Sequence, residues 1–236
     1  MNFIRMVFGV VNEAKPKYIL VRALSEGAEL RSYAPMVVAQ VEWAVGSSGP
    51  EQAEKQEKPF FLLARYIGVF GKPENTGDEA VAMTAPVMMG TAPQKMAMTA
   101  PVLLGSTAEA GSEETREFMR FVLPSSYTVE TAPTPSNPRV QILAVPAKLV
   151  AALGFSGGRS KAWTDRHGAI LLEALAAAGL KPVSDELEPW VYAGFNPPFT
   201  LPMFRMNEVY IDVTEGGAPS AAQLQHAAQI PRSTWW

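Results

Sequence analysis

Six residues occur twice within one stretch of the chain, as Ala82-Met-Thr-Ala-Pro-Val87 and Ala97-Met-Thr-Ala-Pro-Val102. The period, 15 residues from Ala82 to Ala97, is too short for the unit of a stacked repeat protein. Each copy continues into an apolar pair and a glycine, Met88-Met89-Gly90 and Leu103-Leu104-Gly105, and turn-forming Thr91-Ala-Pro-Gln-Lys95 lies between them. The pattern predicts two consecutive strands, each carrying a proline that cannot donate to a ladder and so belongs at an edge or a bulge. Thr84 and Thr99 read as hydroxyls that satisfy backbone groups there, while Pro86 and Pro101 stop the ladder. Met83 and Met98 read as core fillers in preference to ligand contacts.

Around this pair, strands are expected at 18–21, 30–45, 118–123, 140–145, 148–155, 190–195 and 207–213. They are rich in β-branched and aromatic residues and bounded by Gly, Pro and Ser. A first helix is expected near 59–67, with Pro59 in its first turn and Phe61, Leu62, Arg65 and Tyr66 at helical spacing. A second runs from a Ser160 cap to a Gly179 stop, with Leu171, Leu175 and Ala178 on one stripe. Helices interrupt runs of strands instead of alternating singly with them, which makes the fold class α+β. The two halves look like a duplicated strand–helix–strands unit. The expected organisation is a lead-in over residues 1–15, one domain over 16–213 and a flexible tail over 214–236, where Ala, Gln, Gly and Ser prevail.

Several function classes lack material. Net charge is −3 and no basic run exceeds a pair, so nucleic acid is not an expected partner. With no cysteine, thiolate metal sites, iron–sulfur clusters and Cys nucleophiles are excluded. Two histidines, His167 and His226, leave little for a multi-histidine metal site. No apolar run approaches the roughly 20 residues of a membrane span, and the first residues lack a secretory pattern. A cytoplasmic location is the expectation. No spacing suggests paired carboxylates or a Ser-His-Asp set, so no catalytic residue is assigned and a non-enzymatic role is favoured.

Several collinear segments resemble the SOUL haem-binding family in its plant and algal form. Beside the two six-residue copies, they are Leu63-Ala-Arg-Tyr-Ile-Gly-Val-Phe-Gly-Lys-Pro-Glu-Asn75, Phe121-Val-Leu-Pro-Ser-Ser-Tyr127, Phe155-Ser-Gly157, Asn196-Pro-Pro-Phe-Thr-Leu-Pro202 and Arg205-Met-Asn-Glu-Val209. The resemblance covers roughly residues 16–213. It implies a twisted antiparallel β-barrel-like sheet flanked by two helices, in two pseudo-repeated halves. It also implies non-covalent binding of haem or another porphyrin in an apolar surface cleft, in the manner of a tetrapyrrole carrier or buffer. Two other readings stay open: an enzyme that modifies or demetallates a tetrapyrrole, and a ligand-sensing effector-type domain.

The resemblance places the cleft between the first helix and the loop before the last strand. Carried onto this chain, the helix supplies Phe60, Phe61, Ala64 and Arg65, and the loop supplies Phe199, Leu201, Met203 and Phe204. A porphyrin needs flat apolar area and a cation for its propionates. Arg65 reads equally as that cation or as a structural ion pair, and one of Phe60 and Phe61 is expected to face the core. Glu57 and Leu201 stand where certain animal relatives carry basic residues, so fewer charges would hold the propionates. Neither histidine falls in the cleft, and His167 reads as a partly packed helix residue. Iron ligation is unassigned, with Met203 and Tyr66 as conceivable ligands, and binding without a strong axial histidine is the expectation. Asn207 and Glu208 are expected to fasten the last loop.

Overall fold

The computed structural model describes residues 15–44, 58–78, 80–82, 84–92, 116–196 and 200–231. The second six-residue copy with Met98, Thr99 and Pro101 lies outside them, as do Met83, Glu57, Phe199 and nearly all of the lead-in. Among the described residues the strands are β1 (Tyr18–Ala23), β2 (Glu29–Tyr33), β3 (Met36–Ala44), β4 (Val87–Ala92) and β5 (Arg116–Val122). They continue with β6 (Gln141–Val145), β7 (Lys148–Phe155), β8 (Leu180–Pro182), β9 (Val191–Gly194) and β10 (Asn207–Glu215). Three α-helices accompany them: α1 (Pro59–Tyr66), α2 (Lys161–Ala178) and α3 (Ala221–Gln229).

All pairings are antiparallel, in the order β1-β2-β7-β10-β9-β4-β5-β3-β6, with β8 also on β10. Two prolines shape this sheet. Ala34-Pro35 separates β2 from β3, and Pro146-Ala147 separates β6 from β7, because proline has no N–H for a ladder. The register nevertheless runs on across both breaks, from Glu29↔Ala152 through Tyr33↔Lys148 and Met36↔Val145 to Gln40↔Gln141. Strands β2–β3 and β6–β7 therefore form one long, bent ladder that curls the sheet. The fold is α+β with a curled, barrel-like antiparallel sheet, as the sequence leads one to expect.

Directly paired residues share a face of the sheet, and successive residues alternate between faces. One face is covered by helices. Against α2 it presents Leu30, Ala151, Leu153, Val209 and Ile211, and against α1 it presents Ala39, Val41 and Phe121. Helix α2 has Ser160 as N-cap residue and ends at Gly179, whose left-handed φ of 66° suits glycine. Leu171, Leu172 and Leu175 are fully buried beneath it, each such side chain contributing about 1.5–3 kcal/mol through burial. Gly168 lets α2 approach Trp190, since a Cβ there would lie 2.2 Å from the indole.

Two expectations need correcting. Pro86 sits at neither an edge nor a bulge: it immediately precedes β4, a central strand between β9 and β5, where the missing N–H costs no ladder bond. Thr84 does satisfy the backbone, its hydroxyl donating to the Val122 carbonyl. The second correction concerns the tail. Residues 221–229 form α3, so three helices flank the sheet instead of two. Ser220 and Gln223 build a reciprocal capping box, and Ala227 is buried in the core under α2.

Candidate ligand-binding surface

Helix α1 starts on Pro59, which needs no N–H partner in a first turn, and buries Leu62, Leu63, Ala64 and Tyr66 against β3 and β5. The adjacent phenylalanines part company. Phe60 is half-buried, its ring edge-on to Phe121 at 5.7 Å, whereas Phe61 is 43% exposed and leans on the still more exposed Phe70 at 5.5 Å. Ala64 has no exposed surface, so in this structure it supports the core and offers no wall to a ligand. Tyr66 is likewise buried and donates its hydroxyl to the Pro133 carbonyl at 2.9 Å, which removes it from the conceivable iron ligands. Arg65 lies 3.8 Å from Glu74, with both side chains about 40% exposed, a weak solvated pair.

The loop between β9 and β10 is apolar, exposed and held at several points. A 3-10 turn over Pro202–Phe204 accepts a bond from the Gly157 N–H to the Pro202 carbonyl at 2.9 Å. Arg205 Nε donates to the Thr200 carbonyl at 2.8 Å, and Asn196 Oδ1 accepts from the Met206 N–H at 2.6 Å. On this frame Leu201, Phe204 and Met206 are each 42% exposed and Met203 71%. One backbone hydrogen bond of the loop reaches the β7–α2 connection and its other backbone bonds close within residues 195–206, whereas α1 is packed on β3 and β5. Phe199 lies outside the described residues.

Asn207 and Glu208 divide their work. Asn207 is buried, accepts the Tyr192 hydroxyl at 2.8 Å on its Oδ1, and leaves its buried Nδ2 without a partner among the described residues. Burial pushes the Tyr192 pKa up to about 12, so this hydroxyl stays a donor. Glu208 does not fasten the loop: it faces the other side of the sheet and binds Arg31 and Tyr210.

His167 stands on α2 beside the Gly157 anchor. Its ring stacks on Phe155 at 3.9 Å, nearly parallel to Trp163, and its Nδ1 meets the Trp163 carbonyl at 2.7 Å. Burial, with the nearby Arg166 charge, holds its pKa below the usual histidine value. It is the partly packed helix residue expected from the sequence. His226 pairs with Glu188 at 3.2 Å. Among the described residues no cluster of three acidic or histidine side chains is arranged to hold a metal ion. No described helix is long and apolar enough to cross a membrane.

Arg205, Arg159 and Met206 belong to this region although the sequence marks only Arg205 and Met206, and those only within a motif. Arg205 lies at the foot of the exposed loop, where burial and then the charge of Arg159 lower its pKa. The Arg205-Met-Asn-Glu segment was the available signal, since it places a cation directly after the loop.

The match to a family model, SOUL heme-binding protein, extends over residues 13–212. The chain belongs to the SOUL haem-binding protein family. No curated protein matches it at a significant level. Among solved structures it is similar to the C-terminal domain of EcmrR, at 12% identity and a TM-score of 0.47 over 80% of this chain and 97% of that one. It is also similar to a hydrolase from Listeria innocua, at 12% identity and 0.47 over 86% and 93%. A third is SAV2435 bound to tetraphenylphosphonium, at 10% identity and 0.42 over 79% and 93%. The likeness is loose in all three.

Proposed function

We propose that this protein binds haem or a related porphyrin non-covalently on its exposed apolar surface and acts as a cytoplasmic tetrapyrrole carrier or buffer. Membership of a haem-binding family supports the ligand class. One observation carries the placement: four large apolar side chains, Leu201, Met203, Phe204 and Met206, are held in solvent by a loop whose backbone is pinned at both ends. Exposed apolar groups grouped in this way mark binding surfaces. A flat amphipathic acid suits them, because Arg205 places a guanidinium at the foot of the loop, where a propionate can meet it.

In this reading Phe61, backed by Phe60 and Phe70, provides apolar area on the α1 side, and Arg65 exchanges its exposed Glu74 partner for a propionate. Phe199 is kept in the proposed set on the sequence resemblance alone. Apolar contact does most of the binding, without a strong axial histidine, so haem and metal-free protoporphyrin bind with similar affinity.

The test is a titration of the protein with haem and with protoporphyrin, following the Soret band for hours. A saturable, stable shift with both ligands is expected, and Met203→Asp should weaken both at least tenfold while the protein remains folded. Steady loss of the pigment would favour an enzyme, and an unsaturable response to both would end the tetrapyrrole reading.

A further inference from the structure

Strand β1 ends the strand order and pairs with β2 alone among the described strands. All six of its residues are exposed, Ile19 by 72%, Leu20 by 53% and Val21 by 45%. It is exposed on both sides. Ile19 pairs with Ser32 and Leu20 with Arg31, so these two side chains leave on opposite faces. Tyr18 lies on the Leu20 side, its ring 5.5 Å from Tyr33 and 4.3 Å from the Arg31 guanidinium. Large apolar groups gathered at one place on a surface mark a protein or membrane contact.

Charge brackets this run. Lys17 precedes it and Arg22 follows Val21, both exposed, and no acid occurs between residues 15 and 23. That is a local reversal in a chain of net charge −3. Arg22 is held beside the strand, its Nη2 donating to the Ala178 carbonyl at the end of α2 at 3.0 Å. The next acids, Glu26 and Glu29, lie past the strand, and Glu29 already accepts from Arg31 at 2.7 Å.

Another strand or a lipid surface could cover such an edge, and the strand is disfavoured. The register slips between Leu20 and Arg22, a bulge that bends the edge and interrupts any added ladder. A second copy of β1, laid antiparallel, would also bring its Lys17 toward Arg22, like charge against like. An anionic surface accepts both cations.

We infer that β1 is a membrane-contact strand that docks on an anionic lipid surface. Ile19, Leu20 and Val21 enter the boundary between headgroups and acyl chains, and the Tyr18 ring lies at that level. Lys17 and Arg22 reach up to the anionic headgroups. This contact is independent of the tetrapyrrole reading.

The test sediments the full chain with vesicles of phosphatidylcholine alone and with vesicles containing about 30% phosphatidylserine. Partitioning at least tenfold stronger onto the anionic vesicles is expected, and it should fall in high salt. Lys17→Gln should weaken it about fivefold, the effect of one cation near such a surface. Ile19→Ser combined with Leu20→Ser, both at exposed positions, should remove it while circular dichroism and the haem titration stay unchanged. Equal partitioning onto both vesicles, indifference to Lys17→Gln, binding that survives the double substitution, or no binding would each overturn the assignment. So would a dimer in sedimentation velocity that the double substitution turns into a monomer, since β1 would then be an interface between copies.

Discussion

The two sides of strand β10 behave as different materials. Toward the helices it turns Val209, Ile211 and Val213 into a dry core with Leu171, Leu175 and Trp190. One residue out of phase, on the opposite side, it turns Glu208, Tyr210 and Asp212 toward ionised partners, Arg31 for the first and Lys148 for the last, at 2.7 Å. The first face is apolar packing with no direction to it. The second is directional: burial alone would lower the Arg31 pKa, yet Glu208 more than offsets this and holds it above the usual arginine value. Burial and the Glu208 charge likewise raise the Tyr210 pKa well above normal. One face supplies cohesion and the other fixed charges.

This contrast can be broken most sharply at Arg31. Arg31→Met leaves Glu208 nearly buried and unpaired, and should cost about 3–5 kcal/mol in denaturant unfolding. Leu171→Ala on the helix face should cost about 3 kcal/mol in the same measurement by leaving a cavity. Adding Glu208→Leu to Arg31→Met should restore more than half of the lost stability, because a buried ion pair is worth little beyond an apolar pair of like shape. If the double variant is no better than the single, the polar face contributes more than self-cancelling charge.

The smallest effect concerns His167. Its folded pKa is lowered from 6.5, so below that pH the unfolded chain takes up a proton that the folded ring resists. Stability contributed by the neutral ring is complete above pH 6.5 and declines as pH falls below it. His167→Phe, which keeps the stack on Phe155, should flatten the stability profile just below pH 6.5. The acid loss from Glu188, whose pKa is lowered by Lys161 and His226 against its own burial, would persist below pH 4.5.

Much of the helix face could be read from the chain, because period and punctuation are local. The α2 stripe of Leu171 and Leu175 and its Gly179 stop sit where spacing places them. The apolar alternation of β10 is equally plain in Val209, Ile211 and Val213. The polar face was not legible, since Arg31 and Glu208 meet across 177 positions and nothing local announces the pairing. Helix α3 was missed for a different reason. Its Ala and Gln composition has no apolar stripe, yet Ser220-Ala-Ala-Gln223 is a capping box that could have been found. At the candidate surface, the resemblance brought the right loop into view, but Ala64 and Tyr66 share a helix with Phe61 and face the core. Spacing on an eight-residue helix separates those sides poorly.

The bent ladder from Glu29↔Ala152 to Gln40↔Gln141 also governs how the molecule is assembled. It binds an early segment to a late one, so most of the chain must be synthesised before its first rung can close. Topologies dominated by such distant pairings fold slowly, because loop closure precedes the contacts that reward it. Until residues 141–152 have emerged, the β2–β3 segment keeps an open edge with unpaired N–H and C=O groups, the kind that recruits other chains. A nascent chain of this protein is therefore most prone to association before its later half has found its beginning, and Pro35, which bends the ladder between β2 and β3, also blunts that edge.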